Sequence, residues 1–240
     1  MPDRLSKFRA TDFEFRARFW IIGGVFYLGF ALYAAGDRNF TWSVARWLAG
    51  AGSPNVSTYS RVVLGFGTAL AAAAALIRSW AEAYLHSSVV YDAKMHSDRL
   101  TADGPYRYVR NPLYLGTVLL AVGLGTMASR FGFAFIVAGI PAIVYRLISR
   151  EEAGLLASQG ESYGEYLRAV PRLIPALHPR VPVGQARPDW VDGFTGEVFM
   201  WGMAFGMAAF TVTLQLVYWY VIAGAGFAVY AVQAVRRRAR

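Results

Sequence analysis

Long apolar runs are the feature of this sequence that most restricts its fold. A helix needs about 20 apolar residues to cross a bilayer, and apolar runs as long as these point to helices that span a membrane. They predict an all-α, polytopic membrane bundle, with runs at about 19–35, 62–85, 113–128, 131–148 and 198–235.

The last run is too long for a single crossing. Its 38 residues would form roughly 57 Å of helix at 1.5 Å per residue. Two short helices that meet near residues 215–220 explain this length better than one strongly tilted helix, which stays an alternative. We therefore predict about six transmembrane helices.

The basic residues are distributed unevenly among the connections between the apolar runs. There are 24 basic and 15 acidic residues, a balance that often indicates nucleic-acid binding. However, 19 of the basic residues lie in alternate connections and at the two ends, four lie in the other connections, and Arg78 lies within a run. This is the positive-inside pattern. It predicts cytoplasmic termini in a bacterial inner membrane and no nucleic-acid partner.

The residue types exclude most metal and thiol chemistry. The chain contains no cysteine, so disulfides, thiolate metal sites and cysteine nucleophiles are excluded. The three histidines, His86, His96 and His178, do not have the spacing of metal ligands. We expect no metal site.

The connection before the third run ends in a motif at residues 103–116, which reads DGPYRYVRNPLYLG. Its Gly-Pro pair predicts a turn, and the pair 111–112 predicts a helix start, with the asparagine as cap. A helix N-terminus that carries arginines and aromatic rings favours an anionic ligand with a planar base. The arginines that would hold the anion are Arg107 and Arg110. The alternative is an interfacial belt of tyrosines with positive-inside arginines.

The polar segment after the fourth run carries adjacent carboxylates, Glu151 and Glu152. Carboxylates at the mouth of a span are costly unless they are paired or have a function, although ordinary solvated charges remain an alternative. Further along, leucines with Tyr163 and Tyr166 at helical spacing predict an amphipathic stretch on the membrane surface.

Connectivity predicts that these two polar regions meet. The third and fourth runs are separated only by residues 129–130, so they should form a tight hairpin. Residues just before 113 and just after 146 should then be neighbours.

The second run contains small and ionisable residues. Arg78 and Glu82 are four residues apart and share a helix face, either as a snorkelling arginine with its partner or as part of an interior site. Gly65, Gly67 and residues 71–75 are small enough for close helix packing. They could also form the wall of a lateral opening for an amphiphilic acceptor.

The motifs carry a family resemblance. Residues 104–116 resemble the G-P-Y-R-Y-V-R-H-P-x-Y-x-G signature of the isoprenylcysteine carboxyl methyltransferase family and related phospholipid methyltransferases. The family's E-E-x-x-L, G-x-x-Y-x-x-Y and P-R-x-x-P motifs are matched at 151–155, 160–166 and 171–175. The resemblance covers residues 60–178 of an expected single domain, 1–240, and leaves the final spans (197–235) outside.

One position departs from the family pattern. Asn111 stands where the family often has histidine. Asparagine can donate a hydrogen bond, but it does not titrate near neutral pH. A hydrogen-bonding role would survive this change, and a proton-transfer role would be lost.

The resemblance implies an integral membrane enzyme that uses S-adenosylmethionine in a cytoplasmic cofactor-binding region. The implied acceptor is a membrane lipid, an isoprenoid or a lipidated substrate, with carboxylate O-methylation favoured. Alternatives are phospholipid-type N-methylation and an NADPH-dependent reductase of the sterol-reductase type.

The polar end of the acceptor should meet the methyl donor near Arg146, Glu151 and Glu82, which are the expected catalytic residues. An amine or phenol acceptor would also need a base, for which Asp92, His96 and Asp98 are further candidates. The resemblance implies the other site residues. Arg172 matches the family's tail motif. The expected cofactor-binding residues are Tyr106, Arg107, Arg110, Asn111, Pro112, Tyr114, Gly116, Glu151, Glu152, Tyr163 and Tyr166.

Overall fold

The computed structural model of the chain describes residues 8–35, 38–50, 52–95 and 102–238. These residues fold as helices and connecting loops, and no β-strand forms among them. The helices are α1 (Asp12–Arg16), α2 (Arg18–Ala31), α3 (Phe40–Ala49), α4 (Val56–Met95), α5 (Pro112–Gly125), α6 (Arg130–Gln159), α7 (Glu161–Ala169), α8 (Trp190–Gly196), α9 (Val198–Thr213) and α10 (Leu216–Arg238), with 3-10 turns at Leu32–Ala35 and Gly104–Arg107.

The predicted membrane bundle is confirmed. Four stretches are long and apolar enough to cross a membrane: Arg18–Ala35, Val56–Leu85, Arg130–Gln159 and Leu216–Arg236. Helices α5 and α9 are apolar but shorter, with 14 and 16 residues. All six predicted apolar segments are therefore helical, and the protein is an integral membrane protein.

The last apolar run divides into two helices, as predicted. The break lies at Leu214, which has φ 56° and donates its backbone N–H to the Phe210 carbonyl at 2.7 Å. Leucine is disfavoured in the left-handed region, and neither glycine nor proline marks this turn. For this reason the sequence located the boundary only approximately.

The long helices pack mainly as a row in the order α10, α9, α4, α5, α6 and α2. One apolar core lies between α4, α5 and α9, and another lies between α2, α5 and α6. Helix α4 is near the centre of the row, and helices α3 and α8 also pack on it.

Small residues let α4 and α5 approach closely. A Cβ atom added at Gly67 would lie 2.9 Å from the Gly123 carbonyl oxygen, and one added at Gly123 would lie 2.6 Å from the Gly67 carbonyl oxygen. Ala71, Ala74 and Ala75 are fully buried in the same core. The packing interpretation of these residues is confirmed. The lateral-opening interpretation is wrong for these buried residues, because α5 and α9 cover them. Gly65 and residues 72–73 are partly exposed, and for them it stays a prediction.

Candidate functional site

The two polar ends of the α5–α6 hairpin meet as predicted, around the buried carboxylate of Glu152. Its Oε1 accepts hydrogen bonds from Arg110 Nε at 2.9 Å and Asn111 Nδ2 at 3.1 Å. Its Oε2 accepts a hydrogen bond from Arg172 Nη2 at 2.6 Å. Two arginines and an amide satisfy a carboxylate that would otherwise be costly to bury.

The predicted capping role of Asn111 is wrong. Helix α5 does begin at Pro112, but the Asn111 side chain makes no capping hydrogen bond. Its amide instead donates to Glu152 and to the Arg172 carbonyl, at 3.0 Å. An ionised acceptor forms the stronger hydrogen bond, so the side chain turns toward the carboxylate.

A cavity of about 380 Å³ opens beside this cluster. Its size is within the usual range for small-molecule sites. Nine of the expected site residues line it: Tyr106, Arg110, Asn111, Pro112, Tyr114, Glu151, Glu152, Tyr163 and Tyr166. Its other lining residues were not among the expected site residues, although Asp103, Leu113 and Leu155 lie within the motifs; the remaining four are Tyr84, Leu85, Ala102 and Ala186.

Glu151 faces this cavity in a different setting from its neighbour. Its Oε1 accepts a hydrogen bond from the Tyr114 hydroxyl at 2.9 Å, and the residue is partly exposed. Among the described residues it forms no ion pair, whereas Glu152 has two arginine partners. Glu151 is therefore the acidic group at the cavity that is available to a ligand.

Tyrosines form much of the cavity wall. The Tyr166 hydroxyl donates to the Tyr106 carbonyl at 2.8 Å, and its ring lies 5.8 Å from that of Tyr163. Burial raises the pKa of Tyr163 to about 12, and burial also raises the pKa values of Tyr106 and Tyr166. These phenols stay protonated near neutral pH, and the Tyr166 hydroxyl acts as a neutral hydrogen-bond donor.

Helix α7, which carries two of these tyrosines, was predicted to lie on the membrane surface. The helix forms and is amphipathic, but Tyr163 and Tyr166 are only 4% and 8% exposed. They pack with Val170 in a small core. The two tyrosines therefore face the site and not the membrane, and the prediction is wrong for them, whereas Leu155 and Leu156 are exposed.

Residues 171–186, which we call the strap, run beside the 103–110 loop and hold it. The N–H groups of Arg110, Ala176 and Arg180 each take part in a backbone hydrogen bond of 2.9 Å between the two segments. The Asp103 carboxylate accepts two more hydrogen bonds, from the backbone N–H groups of Gly184 at 2.5 Å and Ala186 at 3.0 Å. The strap thereby fixes one side of the cavity.

The two arginines of the 103–116 motif support the wall. Arg107 Nε donates to the Val181 carbonyl at 3.0 Å. Arg110 Nη1 donates to the Leu167 carbonyl and to the Val170 carbonyl, the latter at 2.9 Å. Arg110 lines the cavity and Arg107 does not.

Three other expected site residues do not line the cavity. Arg146 forms a salt bridge with Glu14, at 2.8 Å between Nη2 and Oε2, because five residues of helix place it about 140° around α6 from Glu151. Glu82 lies against Gly196, where an added Cβ would be 3.0 Å from its Cγ. Gly116 lies against the side-chain stem of Arg78. The side chains of Asp92, His96 and Asp98 are outside the described residues.

Arg78 pairs with a residue that the sequence did not indicate. Its guanidinium binds Glu197 through two hydrogen bonds, at 2.7 Å and 2.8 Å. Glu82, four residues along α4, was the expected neighbour on the same face. Sequence reasoning missed Glu197 because it lies 119 residues from its partner.

Comparison with known proteins identifies the segment that carries the cavity. Residues 62–160 match the phospholipid methyltransferase family. The family resemblance predicted from the motifs is thus confirmed, and the matched segment contains the 104–116 motif, the hairpin and both acids. No solved structure matches the chain.

Curated relatives align over a similar length. The cobalt-zinc-cadmium resistance protein CzcN of Cupriavidus metallidurans is 32% identical over 37% of this chain and 41% of its own length. The nickel-cobalt-cadmium resistance protein NccN of Alcaligenes xylosoxydans xylosoxydans is 33% identical over the same shares. The protein-S-isoprenylcysteine O-methyltransferase of Schizosaccharomyces pombe is 33% identical over 38% of this chain and 39% of its own. The chain therefore spans about two fifths of the length of these relatives.

Proposed function

We propose that this protein is an S-adenosylmethionine-dependent methyltransferase that modifies a membrane-embedded, lipid-like or isoprenoid acceptor at the cytoplasmic face. The observation that carries the proposal is the cavity between the ends of the α5–α6 hairpin, since it lies largely within the family-matching segment. Carboxylate O-methylation is favoured by the similarity to the isoprenylcysteine O-methyltransferase.

The lining residues fit the proposed cofactor. Tyrosine rings offer flat faces for an adenine base, and the Glu151 carboxylate offers an acceptor for ribose hydroxyl or amino groups. The cofactor, when bound, would supply a methyl group already activated by its positive sulfur. The protein itself would need to orient the acceptor and exclude water.

The residues of the wall would perform that orientation. Glu152 fixes Arg110, Asn111 and Arg172, and these join the start of α5 to the start of the strap. Glu151, held by Tyr114, would contact the donor. Because Arg146 and Glu82 are absent from the cavity lining, we assign them supporting roles outside it.

The acceptor would enter from the bilayer. Leu85, Leu113 and Leu155 provide apolar lining beside the polar groups, so an acyl or prenyl tail could stay in the membrane. Each buried CH₂ would contribute about 0.8 kcal/mol. A mispaired polar head group costs far more than a missing methylene, so selection by head group should be stricter than selection by tail.

A panel of acceptors tests this proposal. Purified protein would be incubated with labelled S-adenosylmethionine and with acceptors that share one head group but differ in tail length. We expect methyl transfer to the tailed acceptors and little to a water-soluble acceptor without a tail. Efficient methylation of the soluble acceptor would contradict entry from the membrane.

The same assay separates the alternatives. Label recovered on an amine indicates phospholipid-type N-methylation. Binding of NADPH with no response to the methyl donor would support the reductase alternative and contradict the methyltransferase.

A further inference from the structure

The pair between Arg78 and Glu197 joins the family-matching segment to a part of the chain outside it. Arg78 lies in the apolar stretch of α4, and Glu197 lies at the junction of α8 and α9. The side chain of Glu197 is 7% exposed and that of Arg78 is 23% exposed. Nothing in the family match, which ends at residue 160, assigns a role to Glu197.

Arg78 also contacts the first turns of α5. Its Nη1 donates to the Leu113 carbonyl at 3.0 Å and to Thr117 Oγ1 at 3.2 Å. Leu113 lines the cavity, between Pro112 and Tyr114, which also line it. One guanidinium thus binds Glu197 on one side and the cavity-forming turn of α5 on the other.

Close backbone packing fixes this geometry. Gly116 lies directly against the Arg78 stem, and a Cβ added at Gly193 would lie 2.5 Å from the Ser79 carbonyl oxygen. Trp201 Nε1 donates to Ser79 Oγ at 3.0 Å. Helices α8 and α9 are therefore held against α4 on either side of Glu197, so the carboxylate has little freedom to follow a displaced Arg78.

We propose that Glu197 is a positioning residue for the candidate active site, acting through Arg78 to hold the α5 turn that carries Leu113 and Tyr114. This proposal rests on the proposed function for its effect on methyl-donor binding, but the order of the α5 turn is a property of the protein alone. The C-terminal helices would then complete the site as well as anchor the chain in the membrane.

The test uses two substitutions and a matched control in the full chain. Glu197→Gln removes the charge and keeps the shape. Because a lone buried charge destabilises a fold while paired apolar replacements often do not, the double substitution Arg78→Met/Glu197→Met provides a variant expected to fold. Asp192→Asn in α8, an exposed carboxylate five residues away, is the control.

Hydrogen exchange of residues 112–117 and calorimetric binding of S-adenosylmethionine are the measurements. In Glu197→Gln and in the double variant, we expect the amides of this turn to exchange faster and the methyl donor to bind at least about tenfold more weakly. The double variant should keep the wild-type melting temperature. Asp192→Asn should match the wild type in all three.

Two outcomes would overturn the proposal. One is wild-type exchange of residues 112–117 in the folded double variant. The other is wild-type donor affinity in Glu197→Gln despite a lower melting temperature, which would leave Glu197 with a purely structural role. If the wild-type protein binds no donor, the proposed function fails, and the exchange measurement alone still decides the role of Glu197.

Discussion

At the scale of single residues, replacing Glu152 with glutamine should lower the stability of the protein, whereas the same replacement of its neighbour Glu151 should not. Glu152→Gln leaves the partly buried guanidinium groups of Arg110 and Arg172 without their anion. Removing one partner from a buried ion pair typically costs about 3–5 kcal/mol. We expect a large fall in the melting temperature of the detergent-solubilised protein.

Glu151→Gln is the matched comparison for this stability prediction. Among the described residues Glu151 has only a tyrosine hydroxyl as a hydrogen-bond partner, so the amide should leave the melting temperature almost unchanged. Equal destabilisation by the two substitutions would contradict the different roles that the contacts assign to the two acids.

Glu151→Gln should instead weaken binding of the methyl donor. A hydrogen bond to a charged group contributes about 1.5–3 kcal/mol, which corresponds to a loss of tenfold or more in affinity. Calorimetry on folded protein measures this directly. Tyr114→Phe, which removes the hydroxyl that orients Glu151, should shift the affinity in the same direction by a smaller factor. An unchanged affinity in both variants would remove Glu151 from the proposed donor site.

At the scale of elements, the strap should depend on Asp103. The carboxylate accepts hydrogen bonds from the backbone N–H groups of Gly184 and Ala186, near the end of the strap, and an added Cβ at Gly184 would lie 2.5 Å from its Oδ2. Asp103→Asn weakens these charge-assisted bonds. We expect faster hydrogen exchange across residues 180–186 and weaker donor binding, with the α5–α6 hairpin unaffected. Unchanged exchange at those residues would show that the other strap contacts suffice.

The N-terminal helix α1 offers an element-scale prediction for pH. The hydrogen-bonded Arg146 guanidinium lowers the pKa of the Glu14 carboxyl from 4.5 to about 2. A lowered carboxyl pKa stabilises the folded state above the unfolded-state value, and this contribution is lost as the pH falls from about 4.5 toward 2. We expect the protection of the Ala10 amide against hydrogen exchange, relative to an unfolded chain at the same pH, to fall over that range, because this amide donates to the Arg146 carbonyl. Glu14→Gln should show low protection already at pH 5, and a wild-type protection that does not change with pH would contradict the prediction.

Some elements of the fold could be predicted from the sequence and others could not. Apolar runs and the short outer turn predicted every long helix, the hairpin and the meeting of residues 111 and 152, because each follows from local pattern or direct connectivity. The strap has no periodicity, and its contacts are mostly backbone hydrogen bonds to a distant loop, so nothing in its residue types indicated its path. Arg78 was singled out as ionisable, but its pairing with Glu197 depends on how α8 packs on α4.

At the scale of the whole molecule, the structure separates two ends of the bundle. The cavity, the strap and the Glu14–Arg146 pair lie at one end. At the other end, Thr41 Oγ1 donates to the Thr126 carbonyl at 2.6 Å and Arg61 Nε donates to the Val212 carbonyl at 3.4 Å. The second end contains the connections that are poor in arginine. The positive-inside rule therefore predicts that the cavity end faces the cytoplasm, where S-adenosylmethionine would be available.

Reporter fusions test this orientation together with the number of spans. Six crossings place both termini on the cytoplasmic side, so a fluorescent reporter after Arg240 should fold and emit, while a phosphatase inserted at residues 52–55 should be active outside the membrane. The four arginines at 236–240 favour the cytoplasm for the C-terminus, and replacing them with glutamine should weaken this preference without altering α9. A C-terminal reporter found outside would mean that α9 and α10 together cross only once. Helix α9 has only 16 residues, about 24 Å of helix, and the side on which the C-terminal reporter is found tests directly whether it crosses the membrane.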